Sequence, residues 1–108
     1  MFNYKIEIFK GILFVRLNGI LNKTNISDSN KEIIPLILKN GIKNVIFNLN
    51  DVIELSNEGI DFFNDNQKAV NFNNGQMIIC NLPNNISLDN KKFKIVPSEI
   101  KAIRLLSV

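Results

Sequence analysis

Between Lys43 and Phe63 the chain reads KNVIFNLNDVIELSNEGIDFF, and this stretch limits the folds open to it more than any other. Val45, Ile46 and Phe47 form an apolar strand core. They lead into a polar turn at Asn48, Leu49, Asn50 and Asp51, and then a short hydrophobic step of Val52, Ile53 and Leu55. Ser56-Asn57-Glu58-Gly59 follows as a helix start: Ser56 supplies an oxygen that can cap first-turn amides, and Glu58 stands at the favourable end of the helix dipole. A strand delivering its C-terminal end to a helix N-terminus is where open α/β sheets place their working surface. The most prominent side chain at that join is the Glu58 carboxylate.

The rest of the chain alternates in the same manner. Tyr4, Ile6 and Ile8, then Ile12 to Leu17, read as two strands joined at Lys10-Gly11 in a hairpin, with Gly19 closing the second. Thr24, Asn25, Ser27 and Asp28 offer N-caps for a helix running to Asn40-Gly41, whose glycine fits a C-cap. Pro35 lies inside that helix and should bend it, because its ring removes an amide donor and crowds the preceding turn. Val45 to Leu49 is apolar enough to predict a central strand. The second helix runs from about Ser56 to Phe72, with Ile60, Phe63, Gln67 and Val70 near one face and Asp61, Asn64, Asp65 and Lys68 near the other. Gln76 to Cys80 is a fourth strand. Leu82 to Lys92 has no period and reads as loop or one short turn. Phe93 to Val96 is a last short strand, and Pro97-Ser98-Glu99 opens a helix with Ile100, Ile103 and Leu106 inward. The order β-β-α-β-α-β-β-α predicts an α/β fold, a mixed sheet of four to five strands, parallel in its middle, with helices packed on at least one face.

A single domain over residues 1–108 is what this length allows. With 45% hydrophobic and 21% charged residues, the composition is that of a globular chain rather than a disordered one. The opening MFNYKIEIF alternates polar and apolar residues, unlike a signal peptide, and no window approaches the roughly 18 apolar residues of a membrane span. Both point to a cytoplasmic protein without membrane insertion. The lone Cys80 lies in the apolar run Met77-Ile78-Ile79-Cys80 and reads as a buried, inert thiol. The formal net charge of +3 is small and scattered. Lys91, Lys92 and Lys94 form its one tight group, with Lys101 and Arg104 on the last helix. No basic stripe interleaved with aromatics is present, so no nucleic-acid partner is expected. The chain has no histidine, which removes Ser-His and Cys-His nucleophile pairs and the commonest metal ligand. Its five glycines stand too far apart for a phosphate loop. Asp61 and Asp65 share a helix face by spacing and read as a solvated pair. Neither enzyme activity, metal nor cofactor is expected. The asparagine clusters at 71–74 and 84–85 read as a compositional habit.

An ordered set of segments nonetheless resembles a known family. Leu17-Asn18-Gly19-Ile20-Leu21-Asn22, a helix, Gly41 to Val52, Gly59 and Asn74-Gly75-Gln76-Met77-Ile78-Ile79-Cys80 together resemble the STAS domain, named for sulphate transporters and anti-sigma factor antagonists. The likeness is good from about Ile12 to Cys80, and Phe93 to Leu106 looks like the family's last strand and helix. In the antagonist branch the second helix opens with Asp-Ser-Ser-Gly or Asp-Ser-Thr-Gly. Its second hydroxyl is phosphorylated by a partner kinase that is also the anti-sigma factor, and phosphorylation releases the pair. Aligned on Gly59 and Val52, Ser56 takes the place of the aspartate, Asn57 that of the serine, and Glu58 that of the phosphoacceptor. The family's Leu-Asp after the second strand is Leu21-Asn22 here.

The resemblance implies a regulatory protein-binding domain whose partner surface comprises Ser56, Asn57, Glu58, Gly59, Asp61 and Asn22, with an anti-sigma factor or serine kinase as the leading partner class. Phosphorylation at Glu58 is excluded by its chemistry. Two further readings stay open at this point: a structural subunit of a membrane-associated lipid-transport or flagellar assembly, and a small-ligand or nucleotide-binding module. The segment Leu82 to Lys92 is too short for the helix that most family members place there. Part of the sheet or second helix should therefore be less covered, leaving room for a second docking site or a homodimer surface.

Overall fold

The computed structural model describes residues 2–106. Within them the chain forms β1 (Phe2–Phe9), β2 (Ile12–Leu21), α1 (Lys23–Lys39), β3 (Asn44–Leu55), α2 (Asn57–Phe72), β4 (Gln76–Cys80), β5 (Lys94–Val96) and α3 (Glu99–Leu106), in the predicted order. The strands lie in one sheet in chain order. β1 is antiparallel to β2 across the Lys10-Gly11 hairpin, and the other pairings are parallel. A sheet that grows in one direction through right-handed crossovers must place α1 and α2 on the same face. The chain from β4 to β5 returns over that face too, while α3 covers the other.

Two cores result, one on each side of the sheet. The larger joins Leu13, Val15 and Leu17 of β2 to Phe47 and Leu49 of β3 and to the inner faces of α1 and α2. The smaller gathers Ile12, Phe14, Ile46, Ile78 and Cys80 beneath Ala102 of α3. Val45 to Phe47 and Met77 to Cys80 are buried on both faces, as central parallel strands should be. Three phenylalanines pack edge to face where α2 meets β3: Phe47 with Phe62 at 5.5 Å, Phe47 with Phe63 at 5.6 Å, and Phe62 with Phe63 at 5.2 Å. Cys80 is fully buried, and burial pushes its thiol up to about 12, consistent with an inert side chain.

Several local expectations change. Gly19 does not close β2: it adopts φ 103°, open to glycine, at a register shift, and the strand runs on to Leu21. Asn50 and Asp51 do not form a turn, because β3 stays paired to the prolonged β2 through Leu55. α1 begins earlier than predicted, capped by Asn22, whose side chain accepts from the Asn25 amide at 3.1 Å. It continues through Pro35 to Lys39, and Gly41 follows its end at φ 58°. α2 buries a wider arc than one stripe, with Phe62, Asn66 and Ala69 added to Phe63 and Val70, because it is wedged between the sheet and α1. Ile100 faces solvent, and Ala102 takes the inward position on α3. The segment after β4 does not leave the core open: Ile86 and Phe93 are buried in it, with Leu82 and Leu88 packed alongside. Gly75 is required where it stands, since a Cβ there would lie 1.9 Å from the Lys43 carbonyl oxygen.

α3 is held to the sheet by a polar clasp as well as by Ala102. The Arg16 guanidinium donates to Glu99 at 2.9 and 3.0 Å, Asn48 Nδ2 donates to the same carboxylate at 2.7 Å, and Glu7 accepts a further Arg16 bond at 2.7 Å. The bonds from Arg16, opposed by partial burial and reinforced by Asn48, hold the Glu99 carboxyl below its ordinary 4.5. A carboxyl depressed in the folded state stabilises it fully above the unfolded value, and that contribution is lost as pH falls through the folded value. Acidification below about 4.5 is therefore expected to lower the thermal midpoint. Glu99→Gln should start lower at neutral pH and fall less steeply on acidification; calorimetry across that range checks the difference in slope.

Candidate functional site

The prolonged pairing of β2 and β3 decides the geometry of the candidate site. Leu21 lies opposite Leu55 in the parallel register, so the residues that follow, Asn22 and Ser56, emerge side by side. Each caps a helix. Asn22 is half-buried, its side chain taken by the Asn25 amide and its carbonyl by Ile26 N at 3.1 Å. Ser56 Oγ accepts from Gly59 N at 3.2 Å and donates to the Leu21 carbonyl at 3.2 Å, while Ser56 N donates to that same carbonyl at 3.0 Å. One backbone oxygen of β2 thereby fixes the start of α2.

Gly59 completes the attachment. It is buried, and a Cβ in its place would stand 2.4 Å from Leu55 Cδ1 and 2.9 Å from the Leu21 carbonyl oxygen. Only a glycine lets the first turn of α2 approach β2 this closely. Between these two anchored residues, Asn57 and Glu58 are exposed, and Asp61 is exposed one turn further on. The fold thus brings together all six residues named from the sequence, but divides their work. Ser56, Gly59 and Asn22 shape the backbone, whereas Asn57, Glu58 and Asp61 present side chains.

Sequence reasoning missed the opposite wall. Lys23, Ile26 and Ser27 of α1 face Glu58 and Asp61 across an open depression of about 660 Å³. In the sequence Ser27 reads only as a possible cap, and Lys23 and Ile26 carry no signal of their own, because their place at the site follows from Asn22 capping α1. Residues at the starts of both α1 and α2 line this depression, and the positive end of α2 favours the Glu58 carboxylate in its first turn by about 0.3 to 1 kcal/mol at an exposed position. Among the described residues neither Glu58 nor Asp61 forms an ion pair, and no group of three or more His, Cys, Asp or Glu side chains converges as a metal site would. No helix among them is long and apolar enough to cross a membrane.

Residues 3–93, from the first strand through the buried Phe93, match the STAS domain family. The chain belongs to that family. Its fold is shared by solved structures of low identity. One is a Thermotoga maritima protein assigned as an anti-sigma factor antagonist, with TM-score 0.88, 17% identity, and coverage of 97% of this chain and 95% of that one. Another is an anti-sigma factor antagonist from Mycobacterium paratuberculosis, with TM-score 0.82, 14% identity, and coverage of 100% and 96%. A third is the phosphorylated form of the Bacillus cell fate determinant SpoIIAA, with TM-score 0.73, 14% identity, and coverage of 95% and 99%. The STAS domain described here thus has the mixed sheet and helix order expected of it.

The geometry sets two stability expectations for this STAS domain. Gly59→Ala must displace Leu55 or separate α2 from β2, and should cost about 1 to 3 kcal/mol. Ser56→Ala removes the cap and its bond to Leu21, and should cost about 1 kcal/mol. Urea denaturation of both variants beside the parent chain measures these losses.

Proposed function

We propose that this domain is a non-enzymatic regulatory module of the anti-sigma factor antagonist kind, which docks a protein partner through Ser56, Asn57, Glu58, Gly59 and Asp61, with Asn22 beside them. The observation that carries this reading is the contrast within the first turn of α2. Ser56 and Gly59 are locked against β2, while Asn57 and Glu58 between them stand in solvent. A rigid, protruding ridge offers a partner a preformed contact at small ordering cost. Its carboxylates are solvated and unpaired among the described residues, which suits recognition better than proton transfer.

Family resemblance makes an anti-sigma factor or a serine kinase of the histidine-kinase-like ATPase type the leading partner class. SpoIIAA has been solved in a phosphorylated form. Here Glu58 stands where the antagonist signature has its hydroxyl, and it carries one negative charge where a phosphate carries about −1.5 to −2. The ridge is then permanently but weakly anionic, and partner binding at this position runs without kinase control.

Affinity capture from the native organism with the parent chain, Glu58→Ser and Glu58→Lys tests the assignment. Charge reversal is expected to weaken recovery of the main partner roughly tenfold, with the serine variant intermediate. A partner set indifferent to both substitutions removes the ridge from the interface. Incubation of the parent chain with the captured kinase should leave the peptide spanning Val52 to Asp61 without phosphate by mass spectrometry, and a phosphate found there contradicts the loss of that control.

A further inference from the structure

The chain's positive charge is less scattered in the fold than in the sequence. Residues 91–106 hold Lys91, Lys92, Lys94, Lys101 and Arg104 against one carboxylate, Glu99, while residues 1–90 hold eight cations and nine acids. Glu99 is itself committed to Arg16 and Asn48. The net +3 therefore resides wholly in the C-terminal part of the chain. Lys94, Lys101 and Arg104 line one depression with Ile95, Val96 and Leu105, between β5 and α3. None of the three forms an ion pair among the described residues.

β5 is the last strand of the sheet and among the described residues pairs only with β4, which leaves its outer backbone edge open to another strand. Lys94 and Val96 lie in register with Ile78 and Cys80, which places their side chains on the α3 face, where Lys101, Arg104 and the 41% exposed Leu105 meet them. Lysines on an open edge can serve simply to discourage strand addition. That role needs neither the apolar floor of Val96 and Leu105 nor the two further cations supplied by a different element. An open strand edge, an apolar floor and a cationic rim without acids suit an extended segment that adds its backbone to β5 and turns carboxylates toward α3.

We infer that the β5–α3 edge is a docking site for an acidic, extended peptide segment of a partner protein, separate from the ridge at Glu58. Its charge complementarity favours an acidic occupant, and the open backbone edge favours a strand over a helix, a lipid surface or a nucleic acid. Because its cations are exposed, affinity falls as salt rises.

Fluorescence anisotropy with a labelled peptide of alternating Glu and Val, titrated with the full chain at low salt, tests this directly. Saturable binding is expected, with Lys101→Glu/Arg104→Glu weakening it roughly tenfold and Lys101→Gln/Arg104→Gln less. Lys39→Glu, a charge reversal in the last turn of α1 and outside the residues lining the depression, should weaken binding less than Lys101→Glu/Arg104→Glu. Amide NMR shifts should concentrate on Lys94 to Val96. The inference is overturned by absence of saturable binding, by equal loss in the Lys39→Glu control, by equal affinity for a peptide with Lys replacing Glu, by shifts that avoid β5, or by tighter binding to phosphatidylserine vesicles or duplex DNA than to the peptide.

Discussion

The seating of α2 on β3 by aromatic edges is the contact on which the rest of the structure depends. Phe62 and Phe63 are adjacent in sequence and would ordinarily point in different directions around a helix. Both are fully buried because α2 lies in the angle between the sheet and α1, and Phe47 meets each of them edge to face. Phe93, from the chain returning to β5, closes on Phe63 at 6.1 Å. Edge-to-face pairs add about 0.5 to 1.5 kcal/mol to the area they bury. Their geometry matters here as much as their energy. They leave α2 little freedom to slide or roll, and so define where its first turn emerges.

The two sides of the sheet are built on different terms. One is an extensive apolar layer under two long helices, the other a short helix over a few apolar side chains and a polar clasp of Arg16, Asn48, Glu99 and Glu7. The clasp gives α3 direction where its buried area is small. A helix of eight residues is marginal alone. Charge-assisted bonds to a fixed guanidinium fork therefore locate its N-terminus more sharply than packing by Ala102 would.

Elements with local punctuation were legible in the sequence: the hairpin at Lys10-Gly11, the start of α2 at Ser56, and β4 between Gly75 and Asn81. Features that depend on partners far along the chain were not. Asn22 could not be chosen as a cap over Thr24, Asn25, Ser27 or Asp28, since all are plausible acceptors and only the length of β2 selects among them. β3 runs across Asn50 and Asp51 because β2 offers it a paired edge, which no local propensity reports. Lys23 and Ile26 join the site for the same reason. Asparagines read as compositional habit also have tasks visible only in three dimensions. Asn73 Nδ2 donates to the carbonyls of Ile37 and Ile42 at 3.1 and 2.8 Å, tying the end of α2 to the end of α1.

The single carbonyl of Leu21 that receives both the amide and the hydroxyl of Ser56 has a consequence for how this surface could be read. The two residues are 35 positions apart, so the shape of the ridge depends on a contact that its own segment does not contain. A short segment carrying Ser56 to Asp61, cut from the chain, would keep every side chain and lose the clamp that holds them. A partner docking there, as proposed, would read a conformation rather than a sequence, and with it whether β2 and β3 have paired to their ends. An incomplete parallel ladder would leave this ridge unformed even with its sequence intact.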